Sequence, residues 1–342
     1  MTLTAQASTR PRTLGVLVVV AMVLALIGLL VGPHSIPVTD TLRVLGAMLT
    51  GDGGFVGSDA VIAAVRVPRV LVALLVGAGL GVAGAAMQGV FRNPLAEPGI
   101  TGVSSGAATA AVVLIVTGLA SVHWLVLPVG AFLGALGAVI IVHACGAWAG
   151  STSSLLLIGI ALNAFLGAII SAVVANASDA EDARSAMFWL NGSLVGRTMR
   201  DVGIAILPLL VGVVIVFWFA RDLNLLSLGE ATAATSGMNV GRVKQGILAG
   251  AALATGAGVA ITGVISFVGL IVPHLIRLIW GSDHRFLLPA SAILGAIFLL
   301  LADTVARLLF YPIVLQTGTV TAFLGAPFLL ALVLSQSRKG LA

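Results

Sequence analysis

Between Val70 and Val90 the only strongly polar side chain is Gln88. About 20 helical residues, each rising about 1.5 Å, cross a hydrocarbon core about 30 Å thick. The stretch is therefore read as a bilayer-crossing helix with a polar mark at each end, RVPR before it and RNPLAEPG after it. Gly77, Gly81 and Gly84 lie three or four positions apart, so one face of this helix is smooth enough for another backbone to approach. Such a segment is built to pack against protein as well as to sit in lipid.

The rest of the chain has the same character. Hydrophobic residues make up 59% of 342 positions and charged residues 8%, with a mean hydropathy of +1.18. A water-soluble domain needs more polar surface than that. The isoelectric point near 10.6 does not imply nucleic-acid binding, because the few Lys and Arg sit at the ends of apolar runs, where headgroups and loops attract them. A lone cysteine, Cys145, excludes an internal disulfide and argues against a cysteine metal cluster. The run Leu14–Val31 follows Arg10 and Arg12, but it is long enough to span and no small-residue cleavage site precedes Pro33, so it is read as a first span and not as a signal peptide.

Apolar segments fall at residues 14–31, 68–91, 100–118, 124–146, 154–175, 202–220, 245–262, 264–280, 288–306 and 319–335. This predicts an all-α polytopic membrane protein of about ten spans. Residues 245–280 could form one broken helix or two short ones turning near Gly263. Ten spans put both termini on one side, and the basic ends, with Arg10, Arg12, Arg338 and Lys339, favour the cytoplasm. The segments beginning GAGLGVAGAAMQG at Gly77 and GAGVAITGVISFVG at Gly256 are alike, and on this count they run in opposite directions, as in an inverted repeat. Chance similarity of two Gly/Ala-rich helices is the alternative.

The blocks RVPR, MQGVFRNPLAEPGITGVSSGA, FWLNGSLVGR, LNLLSLGE, FVGLIVPH, GSDHR, LLLADTVAR and GTVTAFLGAPFLL occur in this order. Together they resemble the FecCD permeases, the membrane subunits of ATP-binding-cassette importers for ferric siderophores, haem and cobalamin. The resemblance runs from about Leu14 to the C-terminus. It implies a type II importer permease fold filling residues 1–342 as one domain, with an N-terminal tail at 1–13 and cytoplasmic coupling helices at about 222–242. It also implies a multi-pass protein of the bacterial cytoplasmic membrane. The expected partners are a second permease subunit, identical or homologous, two ATPase subunits and an extracytoplasmic binding protein that delivers an iron-siderophore, or alternatively haem or cobalamin.

The residues agree with a subunit that is not itself an enzyme. No GxxxxGK motif followed by Ser or Thr is present, so ATP and Mg belong to the partner ATPase and no cofactor is expected in this chain. No HExxH and no histidine pair at i, i+4 occurs among His34, His123, His143, His274 and His284, so no bound metal is expected. An ion-coupled secondary transporter is the rival reading, but it needs ionisable groups within the spans, and these are scarce here. No catalytic residues are assigned.

By the resemblance, Leu228, Gly229 and Glu230 belong to the ATPase-coupling helices. Arg66 and Arg69 match the family's RxPR pattern, and Arg307 closes its D-to-R helix. All three are expected to dock the binding protein, since arginine recognises carboxylates bidentately. The alternatives are snorkelling for the first two and an i, i+4 pair with Asp303 for the third. Gln88, Asn93, Leu95, Ser151, Thr152, Ser153 and Asn163 are the candidates for the translocation path and its cytoplasmic gate, although hydroxyls at a span boundary are also ordinary helix caps.

Overall fold

The computed structural model describes residues 3–32, 36–51, 54–149 and 152–340. Among them there is no β-strand. The first half of the chain contains α1 (Leu3–Leu30), α2 (Val38–Thr50), α3 (Ser58–Val61), α4 (Val67–Phe91), α5 (Val103–Val116), α6 (Val126–Ala149), α7 (Thr152–Ala175) and α8 (Ala180–Leu190). The second contains α9 (Met199–Trp218), α10 (Ala220–Ser227), α11 (Glu230–Thr235), α12 (Val240–Thr262), α13 (Val268–Trp280), α14 (His284–Leu308) and α15 (Thr317–Gly340). Seven helices are long and apolar enough to cross a membrane, and α5, α13 and α15 supply three shorter apolar stretches. Each of the expected apolar segments is thus a helix.

Helix α4 forms the axis of the bundle. Its span is 78% buried within the chain, whereas that of α7 is only 6% buried. The glycines explain how α4 can be so enclosed. A Cβ on Gly77 would run into the Gly295 carbonyl, one on Gly81 into that of Ser291, and one on Gly84 into that of Gly269. α4 therefore touches α14 and α13 backbone to backbone, which the small-residue face predicted.

Two landmarks orient the molecule. Near its N-terminus α1 meets the start of α14 through Arg10 and Asp283, 2.6 Å apart. Near the start of α4, Arg69 meets Asp303 close to the other end of α14. From the Asp303 end α4 runs to the Asp283 end, and α15 does the same after starting at Thr317, whose hydroxyl donates to Asp303 at 3.0 Å. So α1 begins, and α15 finishes, at the Asp283 end.

After α4 the chain does not stay at that end. Residues 92–102 fold back into the bundle, where Pro98 lies beside Gly269, and α5 starts there as a half-length helix. The second half repeats this in the opposite sense. α12 runs toward the Asp303 end, breaks at Gly263 (φ +73°), and returns inward to Phe267 (φ +70°), from which the half-length α13 starts. Residues 245–280 are two helices, and the Gly77 and Gly256 segments lie in antiparallel counterparts of an inverted repeat.

Candidate functional site

The two inward-folded segments meet. A cavity of about 290 Å³ lies between them, lined by both half-helix starts together with α4, α7 and α12. Its polar lining includes Glu97, Ser104, Ser105, Asn163, Thr255 and Ser266. The Glu97 carboxylate lies near the Phe267 N–H. That N–H belongs to the open start of α13, where helix donors have no intrahelical partner and favour negative charge. One side chain of the first segment is thereby brought to the start of the helix that follows the second.

Asn163 ties the peripheral α7 to the same place. Its amide nitrogen donates to the carbonyls of Gly99 at 3.1 Å and Ile100 at 3.4 Å. Among the described residues its Oδ1 has no partner, nor has the Thr255 hydroxyl, and both atoms are buried. A Cβ on Gly99 would fit in ordinary contact, 3.6 Å from Glu97 Oε1 and 3.7 Å from Ser104 Oγ. The cavity thus holds unmet acceptors and small residues, which suits weak polar contact with a passing molecule.

The other path candidates do not share this cavity. Gln88 is buried and donates to the carbonyls of Gly269 and Leu270 at 3.2 and 3.1 Å while accepting from Arg277, so it fastens α4 to α13. Asn93 accepts from the Leu95 N–H at 2.9 Å, forming a local turn after α4. Ser151 lies outside the described residues. Thr152 and Ser153 open α7.

At the Asp303 end the three docking candidates turn into the chain. Arg69 grips Asp303 through two guanidinium nitrogens at 2.9–3.1 Å, and Arg307 pairs with the same carboxylate at 3.3 Å. Arg307 also donates to the carbonyls of Gly28 and Val31, and Arg66 to those of Leu29 and Leu30. All three arginines are at most 8% exposed. Within this chain these side chains clamp α1, α4 and α14 together, through Asp303 and the carbonyls at the end of α1.

The opposite end carries the coupling candidates. α10 lies on the core through buried Leu223 and Leu226, while Leu228 is 66% exposed and Gly229 (φ +119°) turns the chain into α11. Glu230 is paired with Lys244 of α12. Beneath α10, Asn224 bonds Asp283 and His284, and Arg10 closes on Asp283. Burial pushes the Asp283 carboxyl up, but the hydrogen bonds from Asn224, from the Arg285 N–H and from Arg10 outweigh it and hold the group below its ordinary range.

Glu97, Thr255, Asn224, Asp283 and Lys244 were not singled out from the sequence. Glu97 and Asp283 sit within recognised blocks, and for Glu97 a carboxylate between Pro94 and Pro98 was the available signal. Thr255 and Asn224 carry none.

A family model described as the FecCD transport family matches residues 18–335. The chain belongs to the FecCD transport family. This FecCD permease is 43% identical over 286 residues to the cobalamin import system permease protein BtuC of Halobacterium salinarum, covering 83% of this chain and 76% of that one. It is 43% identical over 279 residues to the hemin transport system permease protein HmuU of Yersinia pestis, covering 80% and 83%. A solved chain described as an inward-facing conformation of a metal-chelate type ABC transporter superposes with a TM-score of 0.84 at 32% identity, covering 95% of this chain and 99% of that chain. The FecCD permease is accordingly the membrane subunit of an ABC importer, and its all-helical fold is that of its family.

Proposed function

We propose that this permease carries an iron(III)-siderophore chelate across the cytoplasmic membrane of a bacterium. It works with a second permease subunit, two ATPase subunits below and a binding protein above, and both of its termini lie in the cytoplasm. Haem or cobalamin is the alternative cargo, as the names of the two relatives suggest. The observation that favours a metal chelate is the likeness to the metal-chelate type transporter over almost the whole of both chains. The geometry is compatible with it, since a small-residue, weakly polar cavity between two half-length helices can contact a bulky molecule without holding it.

In this reading the Asp283 end faces the cytoplasm. The exposed Leu228–Gly229 turn offers the ATPase an apolar contact, and Asn163 links the cavity to α7, a helix largely uncovered in the single chain. The test is ATP-dependent uptake of radiolabelled ferric siderophore into proteoliposomes holding the permease, its ATPase and its binding protein. Uptake of haem or cobalamin in place of the siderophore would move the cargo to the alternative. Uptake that needs an ion gradient and no ATP would sink the importer reading.

A further inference from the structure

The side chain of Asn224 makes three hydrogen bonds across the gap between α10 and α14. Its Nδ2 lies 2.8 Å from Asp283 Oδ1, and its Oδ1 lies 2.8 Å from the His284 backbone nitrogen and 2.9 Å from His284 Nδ1. The assignment of these atoms is forced. A backbone N–H can only donate, so the atom facing it is the amide oxygen, and the amide nitrogen then faces the carboxylate. Reversing the amide would set acceptor against acceptor at Asp283 and donor against donor at His284. His284 Nδ1 must also carry its hydrogen, because it shares that same oxygen. The other ring nitrogen, Nε2, is buried beside Gly89, where a Cβ would come within 2.8 Å of it.

The remaining contacts of α10 are of a different kind. Leu223 and Leu226 are fully buried but apolar, and such contacts have no direction and tolerate sliding. Asn224 supplies the directional contact that fixes α10 on the start of α14. From there α14 runs for 25 residues, about 37 Å of helix. Near its far end Asp303 is gripped by Arg69, Arg307 and Thr317. One helix thus joins the turn that carries Leu228 to the clamp at the opposite end.

We infer that Asn224 is a positioning residue for energy coupling: it locks the ATPase-facing helix α10 to α14, so that displacement of α10 is passed along α14 to the Asp303 end. The inference rests on the reading of α10 as the ATPase contact. That reading is checked separately by crosslinking a Leu228→Cys permease to the ATPase in the assembled complex.

The coupling itself is read by pulsed electron–electron resonance on the complex in lipid nanodiscs. Spin labels are placed at Val122→Cys and Leu309→Cys, both exposed, in a chain with Cys145→Ser. Distances are compared without nucleotide and after vanadate trapping, at matched trapped nucleotide per complex. The parent chain shifts its distance distribution on trapping. Asn224→Ala loses that shift, and Asn224→Asp, which sets two carboxylates face to face, loses it as well. Leu223→Val, which trims an apolar contact of α10 and leaves the directional one in place, keeps the shift. A full shift in Asn224→Ala, or a shift lost equally in Leu223→Val, overturns the inference. Failure of the Leu228 crosslink overturns the reading beneath it.

Discussion

The two ends of α14 are both held by arginine and aspartate, yet they are built to different specifications. At one end Asp303 is 1% exposed and meets two arginines, with a third arginine nearby held by the carbonyls of α1. At the other end the Asp283 side chain is 32% exposed and shared among one arginine, an amide and a backbone N–H. Enclosure makes the difference. A charge buried among other charges cannot lose a partner without stranding one, whereas a half-exposed charge can turn to water. The first junction suits permanent assembly of α1, α4 and α14, and the second suits a contact that must hold position while it remains adjustable.

The largest effect is therefore expected at the buried clamp. Asp303→Asn leaves Arg69 and Arg307 without a counter-charge and should cost about 3–5 kcal/mol, seen as a sharp drop in the thermal midpoint of the detergent-solubilised complex. A midpoint close to the parent's would mean that the clamp is no stronger than the open junction. Next in size, Arg69→Met combined with Asp303→Leu should be more stable than Asp303→Leu alone by about 1–3 kcal/mol, since one stranded arginine has been removed. Strict additivity would deny that the two side chains are coupled.

At the Asp283 end the expected signal is a pH dependence. Because the folded-state pKa of Asp283 lies below 3.8, the group's contribution is present above that value and lost as pH falls through the folded pKa. The thermal midpoint of the parent should thus fall more steeply below pH about 4 than that of Asp283→Asn. Parallel curves would show that the hydrogen bonds to this carboxylate do not stabilise the fold. The smallest effect belongs to Glu230→Gln. It breaks the pair with Lys244 at a carboxylate 48% exposed, and should change stability by no more than about 1 kcal/mol.

Much of this architecture could be read from the sequence because membrane helices declare themselves locally. A run of about 20 apolar residues has few other uses, and the glycines at 77, 81 and 84 gave away the close-packed face. The break between α12 and α13 was half visible: Gly263 marks it, but nothing in the identity of Phe267 announces a left-handed backbone. Function was harder to read, because charged groups take their meaning from partners far off in the chain. The Asp303–Arg307 spacing was legible as an i, i+4 pair, while Arg69 reaches Asp303 across 234 positions and Arg10 reaches Asp283 across 273. The clamp that Arg66, Arg69 and Arg307 form within the chain was for this reason only partly legible. Likewise the loop carrying Glu97 was identified as a gate from its motif, but its return to the centre of the bundle depends on contact with α13, where Pro98 packs beside Gly269.

The glycine contacts of α4 have a mechanical meaning. Side chains between helices act as a soft layer that can change rotamer and absorb small displacements. Where α4 meets Gly269, Ser291 and Gly295 that layer is missing, and peptide rests directly on peptide. A push on α14 or α13 therefore reaches α4 with almost no damping, and these three helices should move as one stiff body. The compliance needed for transport is left to the looser layer outside them, where Gly137 and Gly167 have open space around them.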